Sequence, residues 1–74
     1  MELTNTNIRY LLAIYDLSLV RLEVSSKDIA KALTVSRASV TSMMTSLIDK
    51  NLVDKERYGK IRLTGLGRTL AREL

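Results

Sequence analysis

The segment 36–50 constrains the fold more than any other, because its pattern predicts one helix with two unlike faces. Apolar residues recur in it at i, i+4, i+7 and i+8 and predict a buried stripe, formed by Val40, Met44, Leu47 and Ile48. The opposite side carries an arginine and then small hydroxyl groups, at Arg37, Thr41, Ser42 and Thr45. Ser36 is the predicted N-cap, whose hydroxyl accepts a hydrogen bond from an unpaired backbone N–H. A surface helix that only had to be soluble would carry Lys and Glu there, so this face favours close contact with a partner.

The first predicted helix covers residues 8–19, with its N-cap expected among residues 4–7, and it is apolar almost all round. Its expected core face consists of Ile8, Leu11, Leu12, Tyr15 and Leu19. A second apolar stripe with helical spacing contains Tyr10, Ile14 and Leu17. Two interpretations of this second stripe stay open: self-association into a homodimer through it, or coverage of the ends of the core.

A helix-turn-helix is predicted from the capping residues and the short connection that follow. Ser25 and Asp28 have the spacing of a capping box, with Ser26 as the competing cap. The next helix is expected over residues 27–33, with Ile29, Ala30 and Leu33 turned inward. Only residues 34–36 separate it from the two-faced helix, and a short strand is possible at residues 23–24.

A two-stranded hairpin and a last helix complete the chain. Residues 52–57 begin as a strand, residues 58–59 form the turn, and residues 60–63 return with strict alternation of basic and apolar side chains. Thr64 is the predicted cap of a helix over residues 65–74, with Leu66, Leu70 and Leu74 facing inward. The predicted fold is therefore mainly α with a small β-hairpin, a winged helix-turn-helix with a three-helix core, a two-stranded wing and a C-terminal helix, in a single domain over residues 1–74.

Composition excludes several classes of function. The 74 residues contain neither cysteine nor histidine, so a disulfide framework, a thiolate metal site and the commonest general base are missing. No catalytic constellation is present, and we predict neither an enzyme, nor a cofactor, nor a metal site. No run reaches the length of a membrane span, and a cytoplasmic protein is expected.

The positive charge is concentrated in the hairpin. The net charge is +4, and residues 55–68 contain five cations and one carboxylate, which together equal that net charge. A basic hairpin is often only a solvated surface, but beside a hydroxyl-faced helix it favours a polyanion as partner. The major groove of DNA is about 12 Å wide and admits a helix. The predicted partner is therefore double-stranded DNA.

Each predicted contact residue has an expected role. The recognition helix offers its N-terminal residues to base edges, with Arg37 placed to pair with a guanine. The wing and the start of the preceding helix are expected to meet phosphates. The predicted DNA-binding residues are Ser26, Lys27, Ser36, Arg37, Ala38, Ser39, Thr41, Ser42, Thr45, Arg57, Tyr58, Lys60 and Arg62. The competing prediction is a protein-interaction module that uses Tyr10, Ile14 and Leu17.

The sequence resembles the N-terminal domain of the diphtheria-toxin-repressor family, the iron- and manganese-dependent transcriptional regulators. The resemblance covers nearly the whole chain and is carried by residues 10–17 (YLLAIYDL), 24–30 (VSSKDIA), 35–41 (VSRASVT), 52–53 (LV), 58–59 (YG) and 61–64 (IRLT). It implies a winged-helix domain that binds operator DNA as a dimer, with DNA contacts on the helix residues given above and on the wing tip around residues 58–60.

The departures from this family are specific. The resemblance places metal-ligating side chains of the family at Arg9 and Leu12, and neither side chain ligates iron or manganese. The family's second domain, with its histidine and acidic ligands, has no counterpart in these residues. Thr45 and Ser46 stand where basic residues are frequent, so we expect fewer phosphate contacts from this helix. Thr34 stands where glycine is common, which predicts slight strain in the turn.

Overall fold

The computed structural model describes residues 2–74, apart from the side chain of Arg57, and consists of four helices and a three-stranded antiparallel sheet. The helices are α1 (Asn5–Val20), α2 (Ser26–Leu33), α3 (Arg37–Asp49) and α4 (Gly65–Glu73). The strands are β1 (Val24–Ser25), β2 (Val53–Lys55) and β3 (Lys60–Leu63), in the order β1-β3-β2, with a 3₁₀ turn at Arg57–Gly59. No helix in the described residues is long and apolar enough to cross a membrane. The predicted winged helix-turn-helix is confirmed.

Helix α1 begins in the predicted window because Thr4 caps it. The Asn7 backbone N–H donates to Thr4 Oγ1 at 3.0 Å, and the Thr4 backbone N–H donates to Asn7 Oδ1 at 3.1 Å. This reciprocal pair is a capping box with asparagine in place of the usual glutamate or glutamine. It satisfies two backbone donors that the first turn would otherwise leave unpaired.

The predicted core face of α1 is wrong in part. Tyr10 and Ile14, assigned to a second stripe, are 3% and 0% exposed, whereas Leu19, assigned to the core, is 64% exposed. Leu11 is buried as predicted. Since α1 is apolar almost all round, periodicity alone cannot select the face that packs on α2, α3, α4 and β3. Tyr10 and Ile14 therefore lie in the core and Leu17 is half-buried against it, so two of the three residues offered for a homodimer or a protein partner are inaccessible.

The helix-turn-helix forms as the capping residues predicted. Ser25, and not Ser26, is the N-cap of α2: its hydroxyl accepts from the Asp28 N–H at 3.2 Å, and Asp28 Oδ2 accepts from the Ser25 N–H at 3.0 Å. Thr34 ends α2 in the left-handed conformation, with φ of 57°. The Val35 N–H donates to the Ala30 carbonyl at 3.0 Å and closes the turn. A β-branched residue in this conformation is strained, as its place in the family suggested.

The wing, which we define as residues 53–63, belongs to a sheet with one strand more than predicted. Strand β2 pairs with β3 as expected, and β1 adds to the other edge of β3 with Val24 opposite Ile61. A strand of two residues is too short to show alternation, so only its possible presence could be inferred. Ile61 and Leu63 are buried as predicted, at 3% and 8% exposure.

Helix α4 packs most closely through small residues, and of the three leucines predicted to face inward only Leu70 packs, half-buried, against the core. Leu66 and Leu74 are 41% and 54% exposed, which contradicts their predicted burial, whereas Gly67 and Ala71 are buried. A Cβ added at Gly67 would collide with the Leu52 carbonyl oxygen and lie 2.9 Å from the carbonyl carbon. The backbone of α4 therefore lies directly on the chain that leads into β2, and a helix that comes so close rotates its larger side chains to the flanks. A similar, smaller error concerns Ile48 of α3, which is 39% exposed.

Candidate nucleic-acid interface

Helix α3 presents its hydroxyl face to solvent and is seated on a buried stripe. Val40, Met44 and Leu47 are 0%, 2% and 0% exposed. The predicted contact residues of the opposite face are all exposed: Ser36, Arg37, Ala38, Ser39, Thr41, Ser42 and Thr45. A rigid seat beneath a continuous polar surface is the arrangement that a recognition helix requires.

Two hydroxyls of this face are already bonded to the backbone of α3. Thr41 Oγ1 donates to the Arg37 carbonyl at 3.1 Å, and Thr45 Oγ1 donates to the Thr41 carbonyl at 3.3 Å. A hydroxyl that donates its proton to a backbone carbonyl can still accept hydrogen bonds through its lone pairs. These two side chains therefore offer a partner an acceptor and a methyl group, which suits a base-edge amino group or a thymine methyl.

The N-terminus of α3 is closed by two serines. The Ser39 N–H donates to Ser36 Oγ at 3.1 Å, and the two hydroxyl oxygens lie 2.9 Å apart. The Ser36 hydroxyl therefore already serves as the N-cap of α3. Its remaining capacity to form a hydrogen bond with DNA is shared with the Ser39 hydroxyl. Arg37 follows the cap directly and stands exposed at the positive end of the helix dipole.

Asn7 joins the first helix to α3 and was not predicted as a site residue. Its side chain is 2% exposed, and its Nδ2 donates to Met43 Sδ at 3.0 Å and to Ser46 Oγ at 3.4 Å. The amide thus completes the α1 capping box with its oxygen and holds the inner side of α3 with its nitrogen. The capping spacing was visible in the sequence, but nothing in the sequence indicated the contact with α3.

A shallow groove separates α2 from the start of α3. It is lined by Lys27, Ala30, Lys31, Thr34, Val35 and Ser36. Lys27 is exposed as predicted, and Ser26 is half-buried. Lys31 lies one turn beyond Lys27 on the same groove and was missed; its i+4 spacing from Lys27 was the available signal.

The Ser25 backbone N–H lowers the pKa of Asp28 by donating to its carboxylate. Partial burial opposes this shift, and the Ser25 hydroxyl and Arg21 add to it. The carboxylate therefore stays ionised and continues to cap α2 well into the acid range.

The wing is less open to a polyanion than its sequence predicted. Lys60 Nζ lies 2.7 Å from Glu23 Oε1, and Arg62 Nη1 lies 2.7 Å from Glu56 Oε1. These hydrogen bonds raise the pKa of Lys60 and the pKa of Arg62. Tyr58 stands at the tip with 93% exposure in a left-handed conformation. The prediction for Arg57 as a DNA contact lies outside the side chains that the structure describes.

A comparison with models of known protein families identifies the family of this chain. A sequence model of the family described as "Iron dependent repressor, N-terminal DNA binding domain" matches residues 2–61. The chain belongs to the iron-dependent repressor family. It is a winged-helix DNA-binding domain of a transcription regulator, and the resemblance on which that expectation depended is confirmed.

Solved structures of regulators have the same fold. MepR, a transcription regulator of the Staphylococcus aureus multidrug efflux pump MepA, matches with a TM-score of 0.84 and 27% identity over 96% of this chain and 53% of its own. IdeR from T. acidophilum matches with a TM-score of 0.80 and 32% identity over 96% of this chain and 32% of its own. A ZitR variant from Lactococcus lactis, at 23% identity, shares the fold with a TM-score of 0.80 over 99% of this chain and 51% of its own. This chain therefore spans about half of MepR and ZitR and about a third of IdeR. No curated protein sequence matches it.

Arg9 and Leu12, where the family resemblance places metal ligands, have another use in this chain. Arg9 Nη2 donates to the Leu33 carbonyl at 3.2 Å and so satisfies a carbonyl at the end of α2. Leu12 is half-buried against the core. A guanidinium stays protonated and leucine has no donor atom, so these two residues do not fit a metal centre. Within residues 2–74, no three His, Cys, Asp or Glu side chains are grouped to hold a metal ion.

Proposed function

We propose that this chain binds double-stranded DNA sequence-specifically as a repressor-like regulator of the iron- and manganese-dependent type, without a metal site of its own. The observation that carries the proposal is the exposed polar face of α3 on a seat that is at most 2% exposed. Family membership supports DNA as the partner. The use of Arg9 as a cap and of Leu12 as a packing residue supports the lack of a metal site.

In the proposed complex, α3 reads bases. Arg37 pairs with a guanine through its two-pronged guanidinium, a contact worth about 1–3 kcal/mol of discrimination. Among the described side chains no carboxylate lies within 4 Å of this guanidinium, so Arg37 can enter the major groove of DNA without breaking an ion pair. Ala38 and Thr41 contact thymine methyls, and Ser39, Ser42 and Thr45 supply hydroxyl oxygens at the same surface.

Phosphate contacts come from two flanking regions. Lys27 and Lys31 line the groove beside the start of α3, where Ser26 and the α2 backbone also face the phosphates. The wing supplies Tyr58 at its tip, with Lys60 and Arg62 behind it and Arg57 proposed from the sequence alone. Such contacts fix the orientation of the protein without reading sequence.

The test is a salt titration of DNA binding. The chain is titrated into a pool of mixed-sequence duplexes at several salt concentrations, and the bound fraction is sequenced to obtain a preferred site. We expect the logarithm of the binding constant to fall linearly with the logarithm of salt concentration, by about 0.9 per phosphate contacted. Failure to bind at low salt, or binding that ignores salt, would overturn the proposal.

A matched pair of variants locates the interface. Lys31→Ala removes a cation from the α2–α3 groove, and Arg72→Ala removes an exposed cation from the last turn of α4, outside the proposed interface. We expect Lys31→Ala to reduce the salt dependence by about one phosphate contact, and Arg72→Ala to leave it unchanged. Equal losses in both variants would indicate attraction by net charge alone and would contradict the proposed docking surface.

A further inference from the structure

Both cations on the outer face of β3 lie against carboxylates of the same chain. The Lys60 ammonium and the Arg62 guanidinium each lie 2.7 Å from a glutamate oxygen, of Glu23 and of Glu56 respectively. The four side chains are 39% to 70% exposed, so water and a partner can reach both pairs.

The sheet places these charges together. Strand β1 begins directly after Glu23 and pairs with β3, which sets Ser25 opposite Lys60 and brings Glu23 to the end of that pairing. On the other side, the Glu56 N–H donates to the Lys60 carbonyl at 2.7 Å and closes the wing. The pairs therefore follow from strand register, and the Glu23 pair was not visible in the charge pattern of the hairpin.

An ion pair of this kind competes with phosphate. A cation beside its own carboxylate adds little net charge to the wing, and a phosphate that approaches the cation meets the carboxylate as well. Exposed ion pairs contribute little to stability, so phosphate can displace the carboxylate. Their presence lowers DNA affinity without blocking it.

We propose that Glu23 and Glu56 set the DNA affinity of this domain by competing with DNA phosphates for Lys60 and Arg62. The inference rests on the proposed function and adds two acidic residues that determine how strongly the wing contributes. It predicts that the wing attracts DNA less than its count of basic residues suggests, so that base contacts of α3 account for more of the binding.

The first test compares three glutamine variants that each remove one negative charge. Glu23→Gln and Glu56→Gln free a wing cation, and Glu73→Gln removes an exposed carboxylate from the end of α4. We expect each wing variant to bind mixed duplexes about threefold more tightly at low salt, with the salt slope steeper by part of the roughly 0.9 that one full phosphate contact contributes. The Glu73→Gln variant should change much less. Equal tightening in all three variants, or none in the wing variants, would overturn the proposal.

The second test separates competition from simple repulsion of DNA. Glu23→Gln is measured again in a Lys60→Gln background, as a double-mutant cycle. Competition for Lys60 predicts that the gain from Glu23→Gln disappears when Lys60 is absent, whereas an undiminished gain would contradict it. A chain that fails to bind DNA at all would overturn the proposed function and this inference together, and normal binding with unchanged glutamine variants would overturn the inference alone.

Discussion

Helix α3 and the wing face the same proposed partner, but they hold their polar groups in different ways. On α3 the hydroxyls of Thr41 and Thr45 are bonded to the helix backbone, in neutral contacts within one rigid element. On the wing Lys60 and Arg62 are held by carboxylates from neighbouring segments, in charged contacts open to solvent. Hydroxyls of fixed position beside Arg37 suit the reading of base edges, and exchangeable charges suit contact with phosphates. We infer from this difference that α3 supplies the fixed geometry for reading bases, and that the wing contributes to affinity through its charges.

The two regions are also seated differently. The seat of α3 consists of long apolar side chains with almost no exposure. The wing also buries apolar side chains, of Ile61 and Leu63, and the chain that leads into it lies directly against the backbone of α4, where Leu52 meets Gly67. Substitutions that leave a cavity should therefore destabilise the packing beneath α3, and substitutions that add atoms should destabilise the contact between α4 and Leu52.

The largest expected effect tests the seat of α3. Leu47→Ala should lower the free energy of unfolding by about 2–5 kcal/mol, because it leaves a cavity beneath the recognition helix. Ile48→Ala, one position further and 39% exposed, is the matched control and should cost much less. Chemical denaturation monitored by circular dichroism measures both. Equal losses of stability in the two variants would contradict the burial of Leu47 and the exposure of Ile48 on α3.

The next effect tests the seat of the wing. Gly67→Ala should destabilise the fold by about 1–3 kcal/mol, because the added Cβ collides with the Leu52 carbonyl and displaces α4. Gly65→Ala is the matched control: a Cβ there meets no atom within 4 Å, and we expect a gain of about 0.5–1 kcal/mol from helix propensity. A Gly67→Ala variant as stable as Gly65→Ala would refute the close approach.

A smaller, pH-dependent effect is expected at the cap of α2, on which the helix-turn-helix depends. Asp28→Ala should cost about 1 kcal/mol at neutral pH, as the loss of a capping group does. The folded-state pKa of Asp28 is lowered, so its contribution is complete above the unfolded pKa of about 4 and disappears as the pH falls through the folded value. Thermal unfolding from pH 7 to pH 2 should show the variant and the parent converging in acid. A difference independent of pH would contradict the capping role of the carboxylate.

The smallest effect concerns strain, which the two regions share. Thr34 in the turn before α3 and Tyr58 in the wing are both non-glycine residues with positive φ, of 57° and 66°. Thr34→Gly should stabilise the fold by about 0.5–1 kcal/mol, because glycine adopts this conformation without a steric penalty. The gain is small because glycine also gives the unfolded chain more conformational freedom. Denaturant midpoints measure the change. A destabilised variant would show that the threonine side chain contributes more than the strain costs.

The sequence predicted those features that depend on neighbours along the chain. Capping by Ser25 and Ser36 and the alternation of β3 each involve contacts within a few positions, and each is confirmed. Such signals arise from spacing, which a sequence displays directly.

Features that depend on packing between distant segments were beyond the sequence. The inward face of α1 could not be selected, because both of its stripes are apolar. The contact of Gly67 with Leu52 could not be predicted, because it depends on how α4 packs against a distant segment. The partner of Lys60 was missed because Glu23 is distant in the sequence and is brought to Lys60 only by the pairing of β1 with β3. The exposure of the predicted contact residues on α3 is confirmed, whereas the ion pairs of Lys60 and Arg62 were not predicted.

The most direct test of the account compares Arg37→Ala with Lys60→Ala on two duplexes, the selected preferred site and a scrambled version of it. We predict that Arg37→Ala weakens binding to the preferred site by about 1–3 kcal/mol and reduces the difference between the two duplexes. Lys60→Ala should weaken binding to both duplexes equally and lower the salt slope by less than the roughly 0.9 of one full phosphate contact, because Glu23 competes for Lys60. The same loss on both duplexes from both variants would contradict the division between a base-reading helix and a phosphate-binding wing.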